Sequence, residues 1–201
     1  MLLWTIQPLE VLEILDTKGV FTCDETSKSF NNDLKDSYDW LVKKMDEKGI
    51  VHPKELHYPI WAWHTMDWKH EKLDLTKDWY DEEGAKRVCL EIEIPDNEVL
   101  LSDFNLWHFV LNKSWIDDST NEVEYDKMHE EFDKLDRKTK NELTVKSWDK
   151  IFNVKPFTID NWIENGRFIQ AVFWTLKKEQ VKDVRFFTCK WKNNNIYVTF
   201  T

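Results

Sequence analysis

The sequence predicts an α+β domain with a mixed or antiparallel sheet core and a charged helical insertion. Three observations predict it. Residues 87–94 alternate cleanly, with Val88, Leu90, Ile92 and Ile94 on one side and Cys89, Glu91 and Glu93 on the other, the period of a half-buried strand. Leu34, Tyr38, Leu41, Val42 and Met45 fall at helical spacing and stop at Gly49. Strand-like stretches at both ends of the chain enclose a dense run of charge at 117–150, a segregation of helices from strands that fits α+β better than alternating βαβ units.

The elements follow in order. Residues 2–6 read as a first strand, and Pro8 suits the first turn of a helix whose apolar face is Leu9, Leu12, Ile14 and Leu15, with Gly19 as its stop. Val20 and Phe21 return to the core, and 22–32 reads as loop. A helix spans about 32–48, and Tyr58 to His64 is a strand with Pro59 near its start. The stretch 65–86 has no firm assignment. After the strand at 87–94, Ser102 and Asp103 are N-cap candidates for a helix carrying Phe104, Trp107, Val110 and Leu111. The insertion reads as two helices, one with Tyr125, Met128, Phe132 and Leu135 on a face, the next lined by Leu143, Trp148, Ile151 and Phe152. The core resumes near Pro156. Phe168 to Trp174, Val184 to Cys189 and Asn195 to Phe200 complete the strands, with a turn at Asn193 to Asn195.

Composition narrows the function classes. The chain has 201 residues, 41% hydrophobic and 33% charged, which fits one globular domain. Its formal charge is −10, with basic and acidic residues interleaved, so broad nucleic-acid binding is disfavoured while a local nucleotide pocket is not. No apolar run is long enough to span a bilayer, and the N-terminus lacks the features of a signal peptide; with three widely spaced cysteines and no CxxC pair, a cytoplasmic location is expected. The four glycines stand alone, which removes both G-x-G-x-x-G and P-loop phosphate cradles. No H-E-x-x-H and no G-x-S-x-G is present.

Several constellations remain as candidates. His52, His57, His64 and His70 lie close in sequence; a metal-dependent hydrolase would draw on His57, His64 or His70 with Asp67 or Asp74, although no metal-ligand pattern is complete and none is assigned. Glu91 and Glu93 share a strand face, where a carboxylate pair serves acid–base chemistry or simply faces solvent. Twelve tryptophans are far above ordinary usage. Trp61, Trp63, Trp68, Trp79 and Trp107 beside His108 are either core or stacking surfaces for a nicotinamide, adenine or base. Gln170 lies inside the apolar run Phe168 to Trp174 and is either a buried hydrogen-bond clip or part of a ligand site.

Two resemblances enter on particular residues. Leu3-Trp4-Thr5-Ile6-Gln7, Trp61-Ala62-Trp63, Leu100 to Phe104 with Trp107-His108, and Ile169-Gln170-Ala171 with Trp174 together resemble a bacterial family of unknown function over nearly the whole chain. More remotely, residues 3–21, Leu90-Glu91-Ile92, and Gln170-Ala171-Val172 followed by Val181 to Val184 resemble the opening strand and helix, the Leu-Glu strand and the Gln-Ala-Glu strand of DNA-modifying toxin-type ADP-ribosyltransferases. That resemblance implies an ADP-ribosyltransferase-like fold and NAD as cofactor. In such enzymes an early His holds a cofactor ribose, and a late Glu orients the other ribose and stabilises the oxocarbenium-like transition state. Thr5 and Val172 stand at those two positions here, and an apolar side chain cannot stabilise developing charge.

The expectation is a domain that binds NAD or a nucleotide, a divergent ADP-ribosyltransferase if it is an enzyme, with Gln170 as the residue nearest a catalytic role. Thr5, Gln7, Trp61, Trp63 and Trp174 would contact the cofactor. The alternative is a non-catalytic protein-interaction module whose partner binds 117–150.

Overall fold

The computed structural model of the protein describes residues 1–23, 32–75, 84–155, 164–192 and 195–200. Trp79, Pro156, Asn193 and Asn194 lie outside them. The described residues form β1 (Leu2–Pro8), α1 (Glu10–Lys18), β2 (Val20–Phe21), α2 (Lys35–Glu47), β3 (Ile60–Thr65), β4 (Lys86–Glu93) and β5 (Leu100–Asp103). There follow α3 (Phe104–Leu111), α4 (Glu122–Asp133), α5 (Arg137–Ser147), β6 (Ile169–Phe173), β7 (Leu176–Lys177), β8 (Val181–Lys192) and β9 (Asn195–Phe200).

One sheet organises the chain. Its seven strands run in the order β5-β6-β3-β1-β4-β8-β9, and every neighbouring pair is antiparallel. The sequence left mixed and antiparallel pairing open; the structure is antiparallel. β2 and β7 form a separate small ribbon.

The two sides of the sheet have different covers. On one side Leu3, Ile60, Ala62, Val88, Leu90, Ile92, Ala171 and Phe173 pack with Val11 and Leu15 of α1 and with Phe21 and Leu176 of the ribbon. The face expected for α1 shifts accordingly. Val11 and Leu15 are its buried residues, while Leu9, Leu12 and Ile14 pack only partly. Gly19 closes α1 in the left-handed region at φ 75°, donating its N–H to Leu15 O at 3.0 Å, a conformation glycine adopts without the Cβ penalty. Pro8 ends β1 instead of starting the helix.

The other side carries two clusters. Leu100, Val172 and Trp174 pack beneath Leu41 and Met45 of α2 and Leu106, Trp107 and Val110 of α3. Trp4, Cys89 and Phe187 pack against Leu73 and Leu75. The unassigned stretch after residue 65 thus contributes two buried leucines whose isolated positions give no periodic signal.

The expected insertion is a pair of helices on the outside of this second side. No residue of α4 is buried, and Ser147 is the buried residue of α5. The face expected for the first helix is only half realised: Met128 and Phe132 are partly covered, whereas Tyr125 and Leu135 are exposed. The pair is anchored at its ends, where Ile116, Trp148 and Ile151 enter the core around α2 and α3. Trp115 stacks on Phe132 with centroids 4.4 Å apart.

Polar contacts fix the same junction. Asp117 is buried and accepts hydrogen bonds from the Ser119 hydroxyl and from its backbone N–H. His129 Nε2 of α4 donates to it at 3.2 Å. Burial pushes the Asp117 carboxyl up, but these donors outweigh burial and hold it below its ordinary value of 3.8. A carboxyl depressed by folding contributes stability above its unfolded pKa and loses it as pH falls through the folded value. The Tm difference between wild type and Asp117→Asn should therefore narrow between about pH 5 and about pH 3. A difference that stays constant across that range would show that Asp117 is not a source of acid sensitivity.

Candidate functional site

Directly opposed residues in a ladder share a sheet face. The register therefore draws one line across six strands: Ser102 of β5 faces Gln170 of β6, Gln170 faces Trp63 of β3, and Trp63 faces Trp4 of β1. Trp4 faces Glu91 of β4, which faces Asp183 of β8. At roughly 4.8 Å per strand this row is about 24 Å long. The neighbouring row on the same face is more apolar, with Leu100, Val172, Trp61, Ile6 and Cys89. A polar and aromatic stripe thus crosses a sheet whose adjacent row belongs to the core.

The stripe has an unsatisfied end and a tied end. Ser102 is 0% exposed, and among the described residues neither Ser102 Oγ nor Gln170 Oε1, both buried, has a hydrogen-bond partner. At the other end, Trp4 Nε1 donates to Glu91 Oε2 at 3.0 Å. Glu93, on the same face of β4, is exposed and paired with Lys182 at 2.9 Å. The two carboxylates therefore differ: one is half-buried against an indole, the other solvated. Lys72 pairs with Asp183.

Two loops and the start of α3 frame the row. Asp103 Oδ1 caps α3 by accepting from Leu106 N at 3.0 Å, while Oδ2 accepts from Gly166 N at 2.6 Å. Burial raises the Asp103 carboxyl above its ordinary value, against the opposing pull of those N–H donors. Phe104 then places its ring 5.2 Å from Trp63. Nearby in the chain, Arg167 binds Asp67 at 2.8 Å and Glu164 at 2.6 Å, with its guanidinium 5.2 Å from the Trp68 ring and 4.8 Å from that of Phe168. Asp67, Trp68 and Glu164 have φ of 49°, 60° and 51°. Left-handed backbone at non-glycine residues costs on the order of 1–3 kcal/mol each and concentrates at functional loops.

His64 and His70 stack with centroids 4.1 Å apart, and His70 also leans on Trp4 at 5.2 Å. His70 Nδ1 donates to the His64 carbonyl at 2.6 Å. Burial, reinforced by the His70 charge, pushes His64 down to about 4, so His64 is neutral at neutral pH. Among the described residues no group of three or more His, Cys, Asp or Glu is arranged to hold a metal.

The sequence-derived residues fall into separate places. Trp63 and Gln170 are register partners in the row. Thr5 and Gln7 lie on the opposite face, aligned with Leu90 and Val88. There the Thr5 hydroxyl donates to Trp61 O and accepts from Gln7 Nε2, each at 2.7 Å. Trp61 packs with Trp107 and Tyr38. Trp174 is buried nearby and donates Nε1 to Ile50 O at 3.1 Å. Ser102 and Trp4 do not stand out in the sequence because membership of the row depends on strand order and register, and Phe104 and Arg167 do not because only the fold brings them to its edge.

The architecture is an α+β domain on a single antiparallel sheet. The chain belongs to the family described as a domain of unknown function, DUF3841, whose profile matches residues 2–182. Comparison with curated proteins gave no match, and comparison with solved structures gave none. Among the described residues no helix is long and apolar enough to cross a membrane.

The orphan hydroxyl yields a stability prediction. A buried polar group without a partner costs about 1–3 kcal/mol, and a domain of this size moves roughly 2–4 °C per kcal/mol. Ser102→Ala should leave Tm unchanged or raise it by a few degrees in a calorimetric melt. A drop of that size would mean the hydroxyl is structurally engaged.

Proposed function

We propose that this chain is a nucleotide- or NAD-binding domain of ADP-ribosyltransferase-like fold, with its ligand on the part of the sheet face that carries Ser102, Gln170 and Trp63. One observation carries the proposal: the half-buried indole of Trp63 stands beside buried polar atoms that have no partner among the described residues, on a face otherwise given to core. Stacked rings and a few convergent polar groups are what planar ligands require. The resemblance of the 3–21 and 170–172 segments supports NAD in particular.

Binding has more support than transfer. Val172, at the position of the transferase Glu, is buried with Leu100 and Trp61 in the α2–α3 cluster. Thr5, at the position of the early His, is committed to Trp61 O and Gln7 on the opposite face. Gln170 is neutral, and the carboxylates of the row, Glu91 and Asp183, lie three and four strands away. The domain is thus a binder first, and any retained transferase activity would be divergent.

Calorimetric titration with NAD is expected to show binding that Trp63→Ala weakens by about 1–3 kcal/mol, the worth of one stacked ring. Neither binding nor turnover at saturating NAD would end the proposal.

A second reading, a protein-interaction module, is favoured by the apolar side chains exposed on the helical pair: Val123 at 78%, Val145 at 45% and Leu143 at 38%. Replacing 121–146 with a flexible linker keeps the Ile116 and Trp148 anchors. That variant should fold but lose partner capture in a pull-down, and undiminished capture would count against the module.

A further inference from the structure

We infer that Ser102 and Gln170 together read a primary carboxamide carried on a flat aromatic ring, with Trp63 and Phe104 flanking the ring. The inference deepens the proposed NAD reading, since nicotinamide is such a ring, but its chemistry stands on this pair of side chains.

The two residues sit side by side in the ladder. Ser102 and Gln170 are Cα partners across the β5–β6 ladder, so both side chains rise from the same face. Among the described residues neither Ser102 Oγ nor Gln170 Oε1 has a hydrogen-bond partner, although both are buried. The hydroxyl can donate, and the amide oxygen accepts. A primary carboxamide presents the complementary edge: its N–H₂ donates to Gln170 Oε1 while its C=O accepts from Ser102 Oγ–H. One ligand group then satisfies both atoms, and buried orphan pairs are otherwise rare.

The surroundings select against an anion. Asp103 follows Ser102, is 0% exposed, and uses both carboxylate oxygens to accept backbone N–H groups. Arg167, the cation at the start of β6, is engaged by Asp67 and Glu164. A carboxylate in place of the carboxamide has no N–H for Gln170 Oε1 and meets the field of Asp103.

The aromatic part of the ligand also has its place. Trp63 is the other register partner of Gln170, and Phe104 begins α3 two residues after Ser102. Their rings meet edge-on at 5.2 Å and 62°, and both residues are half-buried. Opening this pair admits a ring that trades one aromatic contact for two, at centroid separations typical of such pairs.

The test is a titration of the full chain with nicotinamide, benzamide and nicotinate, followed by protein NMR shifts. Nicotinamide and benzamide are expected to bind, with nicotinate at least about tenfold weaker. Ser102→Ala and Gln170→Ala should each weaken nicotinamide about tenfold, the scale of one hydrogen bond to a buried partner. Ser102→Ala removes a single oxygen, so it keeps the test valid if Gln170→Ala misfolds. Equal binding of nicotinate and nicotinamide, wild-type affinity in the Ser102→Ala protein, or no binding of either carboxamide would overturn the inference. The NAD reading is separable. NAD binding without carboxamide discrimination refutes this edge alone, whereas carboxamide binding through the pair without NAD binding upholds the edge and refutes the cofactor.

Discussion

The structure depends on the double pairing of β1. This strand hydrogen-bonds to β3 on one side and β4 on the other, in fixed register at Trp4 with Trp63 and at Leu2 to Pro8 with Arg87 to Glu93. Because side chains alternate, a slip of one residue would send Leu3 to the face of Trp4 and invert every neighbour's assignment. The mostly apolar face of Leu3 and Leu90 and the mixed face of Trp4 and Glu91 therefore follow from one ladder. The α1 cluster, the α2–α3 cluster and the polar row are all consequences of that register.

Legibility in the sequence tracked how local each determinant is. The alternation in β4, the Gly19 stop and the Asp103 cap could be read because each is decided within a few residues. The β6 strand was visible as an apolar run, and Gln170 within it as an anomaly. Its meaning was not visible, since the polar atom beside it, Ser102, lies 68 positions earlier, at the far end of a strand pairing. Thr5 and Gln7 illustrate the reverse. They sit in the same strand as Trp4, and the transferase resemblance groups Thr5 with Trp63. Alternation instead places Thr5 on the other face, where it meets the Trp61 backbone rather than an indole ring.

The tryptophans show why composition alone underdetermines function. Trp4, Trp107, Trp148 and Trp174 are core residues, as large aromatic surfaces usually are. Trp68 is half exposed, under the Arg167 guanidinium, in a loop whose backbone is held left-handed at two consecutive residues. Abundance could not separate these groups; their partners do so, Leu73 and Leu75 for Trp4, the α2–α3 cluster for Trp107, Trp148 and Trp174, and Arg167 for Trp68. The helical pair α4–α5 adds a further kind of surface, one joined to the core at its ends and largely uncovered along its length.

The central position of β1 also has a consequence for biosynthesis. Trp4 and its hydrogen-bond partner Glu91 are 87 residues apart in the chain. At roughly 5–20 residues per second, the strand at the middle of the sheet leaves the ribosome several seconds before β4 exists to pair with it. In that interval the apolar residues Leu2, Leu3, Trp4 and Ile6 lack their β4 partners, and an extended segment with an unpaired edge is the kind that recruits other chains. Topology therefore delays the pairing that closes this edge until the middle of the chain has been made.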